Sequence, residues 1–182
     1  MPAIRFTELP DHARVWVFAS DRPLLGDDAR ALLDEVDAFL AQWKAHGAPL
    51  RSAREWRDDR FLAIGVDPDA EQASGCSIDG MFRGLRELEQ RLGTTLVAGG
   101  RVFYRDAAGA PQLAPRKELP SLAKRGALTS DTAVFDTSVT SVRDWRSHFE
   151  VRARDTWLAA TVAQASQRSS PAATNSSSAR NG

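Results

Sequence analysis

Two short segments of the chain are apolar on both sides of the strand that each would form. In the segment 13–19, ARVWVFA, the two valines and Ala19 alternate with Trp16 and Phe18. The segment 60–66, RFLAIGV, is apolar at nearly every position. A sheet built from such strands has to be covered on both faces, because neither face is stable in water. The sequence therefore predicts a sheet that lies between two other layers of the protein.

Two longer segments carry apolar residues at the spacing of an α-helix. The segment 26–47 begins with acidic residues and ends at a glycine, and a second apolar stripe begins at Ile78 and ends at Gly93. Acidic residues stabilise the positive end of the helix dipole, and glycine adopts the left-handed conformation at a helix exit. We therefore expect two helices.

Further strands are predicted on either side of a polar reversal at Asp58-Asp59, and again from Arg101. The order strand, helix, strand, strand, helix, strand is that of the split βαβ, or ferredoxin-like, arrangement. We expect right-handed crossovers to place the strands 13–19 and 60–66 side by side and parallel, with both helices on one face. The predicted fold class is α+β with a ferredoxin-like sheet.

The later part of the chain is the candidate cover for the other face of that sheet. It predicts a hairpin around Ala108-Gly109, a short helix near 116–124, a strand over 132–136 and a last helical region from Val142. Trp16 and Trp43 are assigned to the core, whereas Trp145 and Trp157 are expected to join the cover to the sheet.

The composition shifts again near residue 164, after which almost no bulky apolar residue occurs. Such a segment cannot bury enough surface to offset its ordering entropy, so we expect it to be disordered. The chain thus divides into a ferredoxin-like region 1–98, a covering region 99–163 and a tail 164–182.

The overall composition argues against several classes of function. Lys+Arg and Asp+Glu are both 24, so the chain has no surplus of positive charge for nucleic acid or an anionic membrane. No segment approaches the roughly 20 apolar residues of a membrane-spanning helix, and the first residues lack a signal-peptide pattern. The single cysteine, Cys76, forms neither an internal disulfide nor a multi-cysteine zinc site. We expect a cytoplasmic protein with no membrane span, no nucleic-acid partner and no cofactor.

Five stretches of the chain, LPDHARVWVFASDRP, AQWKAHGAPL, DRFLAIGVD, ASGCSID and LTSDTAVFD, resemble a family of short bacterial proteins. Its members often carry the automatic label "ABC transporter ATPase", and the family has no established activity. A P-loop needs glycines followed by Lys-Ser or Lys-Thr, because its backbone amides and its lysine hold the phosphates. The chain contains no Gly-Lys pair and no LSGGQ signature. An ATPase activity of the ABC type is therefore not expected.

The stretch 101–146 is similar to bacterial GYF-like modules, although the GYF tripeptide itself is absent. The shared pattern is an aromatic strand, a turn with glycine, a spaced leucine and glycine motif, and a distal tryptophan. These places are taken by Tyr104, Gly109, Leu119, Leu122, Gly126, Asp131, Thr132, Val134 and Trp145. The resemblance implies a region that contacts another protein through an aromatic groove.

Cys76 is the candidate nucleophile, in the stretch EQASGCSIDGMF. A thiol beside the free amides of a helix start can be activated, whereas a nearby carboxylate such as Asp79 opposes a thiolate. A base within reach is also needed, and no adjacent motif supplies one; the histidines are His12, His46 and His148. The alternative is that residues 74–77 form a tight turn that caps the helix.

The predicted topology brings a second group of residues to Cys76. If the loops after the two apolar strands leave the same edge of the sheet, Arg22 approaches Ser74 and Ser77. An arginine beside free helix amides could bind a small anion or a carboxylate. The alternative is an ion pair between Arg22 and Asp79 that pins the loop.

No complete catalytic constellation is present in the sequence. Asp58 and Asp59 lie in a turn with three arginines nearby, which favours a solvated tip over a metal site, and no metal is predicted. The leading prediction is a non-catalytic binding or adaptor protein with a protein partner. The alternative is a small-molecule-binding protein or a thiol-dependent enzyme that uses Cys76, Asp79 and Arg22.

Overall fold

The structure, a computed structural model, describes residues 4–96 and 99–169. Its strands are β1 (Arg14–Ala19), β2 (Lys44–Ala45), β3 (Ala48–Pro49), β4 (Ser52–Arg57), β5 (Phe61–Val66), β6 (Arg101–Arg105), β7 (Pro111–Pro115), β8 (Ala133–Phe135) and β9 (Glu150–Arg152). Its helices are α1 (Gly26–Gln42), α2 (Gly75–Leu92), α3 (Leu119–Lys124), α4 (Val142–Ser147) and α5 (Ala159–Ser169). The mixture of helices and antiparallel sheets confirms the predicted α+β class. Within the described residues, no helix is both long enough and apolar enough to cross a membrane.

The first sheet has the strand order β1-β5-β4, and both pairings are antiparallel. Arg14 lies opposite Val66, and Ala19 lies opposite Phe61. The predicted adjacency of the two apolar strands is therefore correct, but their predicted parallel direction is wrong. The reason is the path of the chain. After β1, the helix α1 returns the chain to the other end of the sheet, so β4 runs parallel to β1. The tight turn at Asp58 then reverses the chain, and β5 lies between β1 and β4 in the opposite direction.

The ferredoxin-like sheet was expected to take its fourth strand from the segment that starts at Arg101. That segment is β6, and it belongs instead to the second sheet, whose order is β7-β6-β8-β9. Every pairing in this sheet is antiparallel. Residues 95 and 96 lie beside β1, where the Leu96 carbonyl accepts a hydrogen bond from Ala19 N at 3.0 Å.

One face of the first sheet packs against both long helices, as predicted. Phe18, Leu62 and Ile64 from the sheet join apolar residues of α1 and α2 in one buried cluster. Ser74 caps the start of α2, and Gly93 ends the helix in the left-handed conformation with φ of 59°. The predicted helix over 26–47 is shorter in the structure, because the chain leaves α1 at Gln42 and forms the β2–β3 hairpin.

The other face of the first sheet is covered by the later part of the chain, which confirms that prediction. Phe61, on the central strand β5, lies at the middle of this contact. Its ring centroid is 4.5 Å from Phe135, 5.1 Å from Phe149 and 5.2 Å from Phe103. Trp145 is fully buried in the same cluster. The two sheets are thus joined through aromatic side chains.

The far face of the second sheet has its own apolar cluster, formed with α3 and α5. Val162 and Ala165 of α5 are buried there. The tail predicted to be disordered from 164 is therefore helical as far as Ser169, and its remainder, 170–182, lies outside the described residues. Val162 and Ala165, three positions apart, form the apolar side of α5 that packs on α3.

Phe61→Ala is expected to lower the free energy of unfolding by about 3–5 kcal/mol, because it removes a fully buried ring that touches three others. Urea denaturation followed by circular dichroism measures the change. Leu25→Ala is the matched control, since Leu25 is 62% exposed, and it should change stability by about 0.5 kcal/mol or less. Equal effects of the two substitutions would contradict the position given to Phe61.

Candidate functional site

The start of α2 forms the capping turn that the sequence allowed for residues 74–77. The Ser77 N–H donates to Ser74 Oγ at 3.3 Å, and Ser77 Oγ donates to the Ser74 carbonyl at 2.8 Å. The Trp43 indole N–H donates to the Ser77 carbonyl at 3.0 Å. Trp43 follows the last residue of α1 and is buried in the core. Its hydrogen bond therefore fixes the start of α2 against the end of α1.

Cys76 and Asp79 are both exposed on the first turns of α2. No histidine is hydrogen-bonded to Cys76 within the described residues. His12 contacts Asp69, and His148 contacts Ser147. Among the described residues, no hydrogen bond connects the thiol to a base of the kind that nucleophilic catalysis requires.

Arg22 lies at the opposite end of α2 from the residues that it was expected to join. Its Nη2 donates to the carbonyl of Leu92, the last residue of the helix, at 2.6 Å, and to Asp28 Oδ2 at 2.7 Å. An 18-residue helix is about 27 Å long, so Arg22 is far from Ser74. The predicted pocket of Arg22, Ser74 and Ser77 is therefore not formed, and the alternative pairing of Arg22 with Asp79 is replaced by Asp28.

The antiparallel pairing brings the entry of β1, not its exit, to the edge where β5 ends. There His12, Arg51, Asp67 and Asp69 form what we call the rim cluster. His12 Nε2 is 2.8 Å from Asp69 Oδ2, and Arg51 Nη1 donates to Asp67 Oδ2 at 2.7 Å. The Asp69 N–H donates to Asp67 Oδ1 at 3.0 Å. Sequence reasoning missed this cluster because it assigned the opposite direction to β5.

One ligand atom each from His12, Asp67 and Asp69 could in principle reach a metal ion, since these atoms lie within 4.8 Å of one another. The arginine of the cluster already supplies the positive charge that buried Asp67 requires, and both oxygens of that carboxylate accept hydrogen bonds. The rim cluster is therefore complete as a set of structural contacts between β1, β4 and β5.

A cleft of about 320 Å³ runs along the outer edge of β1. Val15 N donates to the Thr140 carbonyl at 2.9 Å, and Ala19 N donates to the Leu96 carbonyl at 3.0 Å. Alternate residues of a strand direct their N–H groups to the same side, so the Val17 N–H points into the cleft. No acceptor for it occurs in the described part of the chain. The remaining wall consists of Phe82, Gly99, Phe103, Thr137, Ser138 and Val139.

Trp157 is exposed, contrary to the prediction that it joins the cover to the sheet. It is 59% exposed, and the Arg116 guanidinium lies over its ring at 4.8 Å. Arg116, Lys117, Lys124 and Arg125 are exposed in the segment that follows β7. None of these four cations has an ion-pair partner among the described residues. Arg116 is the cation that contacts Trp157, and the other three follow Arg116 within ten residues, on α3 and its flanks. We call Trp157 and these four cations the Trp157 surface.

Comparisons with family models, with curated proteins and with solved structures found no match to this chain.

Cys76→Ser is expected to leave the free energy of unfolding within about 0.5 kcal/mol of the wild-type value, because the side chain is exposed and makes no described hydrogen bond. Urea denaturation in the presence of a reductant measures it. A large loss of stability would show that the thiol packs in a way that the exposed position does not explain.

Asp67→Asn is expected to destabilise the protein by about 1–3 kcal/mol, because it removes the buried charge that Arg51 pairs with. Thermal unfolding at neutral pH measures the change. The matched control is Asp69→Asn, whose side chain is 73% exposed and which should cost about 0.5 kcal/mol or less. If the control costs more than Asp67→Asn, the rim cluster is not held together by its buried member.

Proposed function

We propose that the protein is a non-catalytic adaptor that binds an acidic segment of a partner protein through the Trp157 surface. The observation that carries the proposal is the position of Trp157. Trp43 and Trp145 are buried, and Trp16 and Trp56 are partly buried against the helical core, so each has a structural role. Trp157 is the exception at 59% exposed. Exposed tryptophans beside arginines are the side chains most often found at the energetic centre of protein interfaces.

The distribution of charge supports an acidic partner. Residues 1–98 contain 17 acidic and 12 basic side chains, whereas residues 99–182 contain 7 acidic and 12 basic. The overall charge of zero therefore conceals a positive later part. The cations of the Trp157 surface form no ion pair with the described part of the chain, so a carboxylate of a partner would not have to displace such a contact.

The resemblance of 101–146 to GYF-like modules gives further support, because such modules contact other proteins. Arg116, Lys117, Lys124 and Arg125 lie inside that stretch, and Trp157 lies 11 residues beyond its end. The proposed surface thus combines four cations of the GYF-like stretch with Trp157, which lies outside that stretch.

A second candidate function, binding of a small molecule, is favoured by the cleft along β1. Its volume of about 320 Å³ lies at the lower end of the range for small-molecule sites. Its wall offers apolar rings, hydroxyl groups and the N–H of Val17, for which the described residues supply no acceptor. A compact ligand with a carbonyl group would match these features.

The adaptor proposal is tested with the full chain immobilised and exposed to a nuclease-treated lysate of the organism that encodes it. Proteins retained by the wild type are identified by mass spectrometry, and the affinity of each purified candidate is then measured. Trp157→Ser and Arg116→Glu should each weaken binding of the true partner about tenfold or more, the effect of losing an interface hot spot. Binding should also weaken as salt is raised.

The matched control is Leu25→Ser, which removes an equally exposed apolar side chain from the other part of the chain. It should leave the affinity unchanged. If Trp157→Ser and Leu25→Ser bind every candidate equally well, the proposed surface is wrong. If the nuclease-treated lysate yields no candidate and the wild-type chain instead binds a polyanion such as RNA, the basic surface serves nucleic acid rather than protein.

A further inference from the structure

Arg60 is a buried arginine that forms no ion pair with a carboxylate of the described residues. The residue is 8% exposed, and its Nη1 donates to the carbonyls of Asp21 at 3.1 Å and Ser20 at 3.4 Å. A guanidinium has five N–H donors. In the described residues, Nε and Nη2 of Arg60 have no acceptor. Burial lowers the pKa of Arg60, and the nearby negative charge of Asp21 offsets this effect only in part.

Arg101, at the start of β6, approaches the same turn from the second sheet. Its Nη1 is shielded from solvent and has no hydrogen-bond partner among residues 4–96 and 99–169. The nearest carboxylate oxygen, Asp21 Oδ2, is 3.8 Å away, too far for a hydrogen bond. A buried donor without an acceptor is costly, and in native proteins it usually marks a bound water, ion or ligand.

Asp21 does not neutralise both arginines, because its carboxylate already has other donors. Oδ1 accepts from Thr94 Oγ1 at 2.7 Å and from Thr95 N at 3.3 Å. Burial by itself raises the pKa of Asp21, but these hydrogen bonds outweigh it and hold the pKa below its ordinary value. Asp21 is therefore ionised at neutral pH, and the group of Asp21, Arg60 and Arg101 carries one excess positive charge.

We propose that Arg60 and Arg101 form a binding site for a small oxyanion, a carboxylate or a phosphate group, beside the turn that follows β1. An oxyanion supplies the missing negative charge and acceptor oxygens for the free N–H groups. Guanidinium groups match oxyanions in shape, because their parallel N–H bonds fit two oxygens at once. This site lies at the junction of β1, β5 and β6 and is independent of the Trp157 surface.

The test is nuclear magnetic resonance of the arginine side-chain Nε–Hε groups in the full chain. Inorganic phosphate and sodium acetate are titrated separately at constant ionic strength, and the signals are assigned with Arg60→Lys and Arg101→Lys. We expect saturable shifts of the Arg60 and Arg101 signals with at least one of the two probes, and which probe acts identifies a phosphate or a carboxylate site. Arg91, paired with Glu35 on the surface, is the control and should not shift.

A variant that keeps Arg60 in place separates binding from general charge effects. Arg101→Gln should abolish the saturable shift of Arg60, whereas Arg91→Gln should leave it unchanged. Absence of a shift with both probes, a shift that stays linear with concentration, or an equal shift at Arg91 would each overturn the proposal. The measurement does not depend on partner binding, so its result tests the oxyanion site separately from the adaptor function.

Discussion

The burial of β5 on both faces is the constraint on which the rest of the structure depends. Leu62 and Ile64 face the two long helices, and Phe61 faces the second sheet. Because every side chain of this strand needs an apolar neighbour, the helical layer and the later part of the chain must both pack against it. The aromatic contacts of Phe61 with β6 and β8 are the physical link between the two sheets.

The direction of β5 decides which residues share an edge. The strand runs opposite to both β1 and β4, so the exit of β1 and the exit of β5 lie at opposite ends of the sheet. The exit of β1 meets the entry of β5, which brings Asp21 and Arg60 together. The entry of β1 meets the exit of β5, which brings His12 to Asp69. The rim cluster and the group around Asp21 and Arg60 are both consequences of this one reversal.

Much of this architecture could be predicted from the sequence, and the failures have physical causes. The alternation of Trp16 and Phe18 with valines correctly predicted a sheet covered on both faces, and Gly93 correctly marked the end of α2. The direction of β5 was also derivable, since a helix crossover makes β1 and β4 parallel and a tight reversal makes β5 antiparallel to them. The exposure of Trp157 was not derivable, because an isolated apolar residue in the turn before α5 has no periodicity to assign its face. The excess positive charge beside Asp21 was not derivable either, because Arg60 and Arg101 are far from Asp21 in the sequence and approach it only in the folded chain.

The placement of the rim cluster and of the group around Asp21 thus follows from the antiparallel pairing of β1 with β5. In an antiparallel pair, the residues that do not exchange hydrogen bonds have their Hα atoms close together. Nuclear Overhauser spectroscopy of the isotope-labelled protein should therefore show strong Hα–Hα contacts between Val15 and Gly65 and between Val17 and Ala63. Absence of both Hα–Hα contacts would contradict the account.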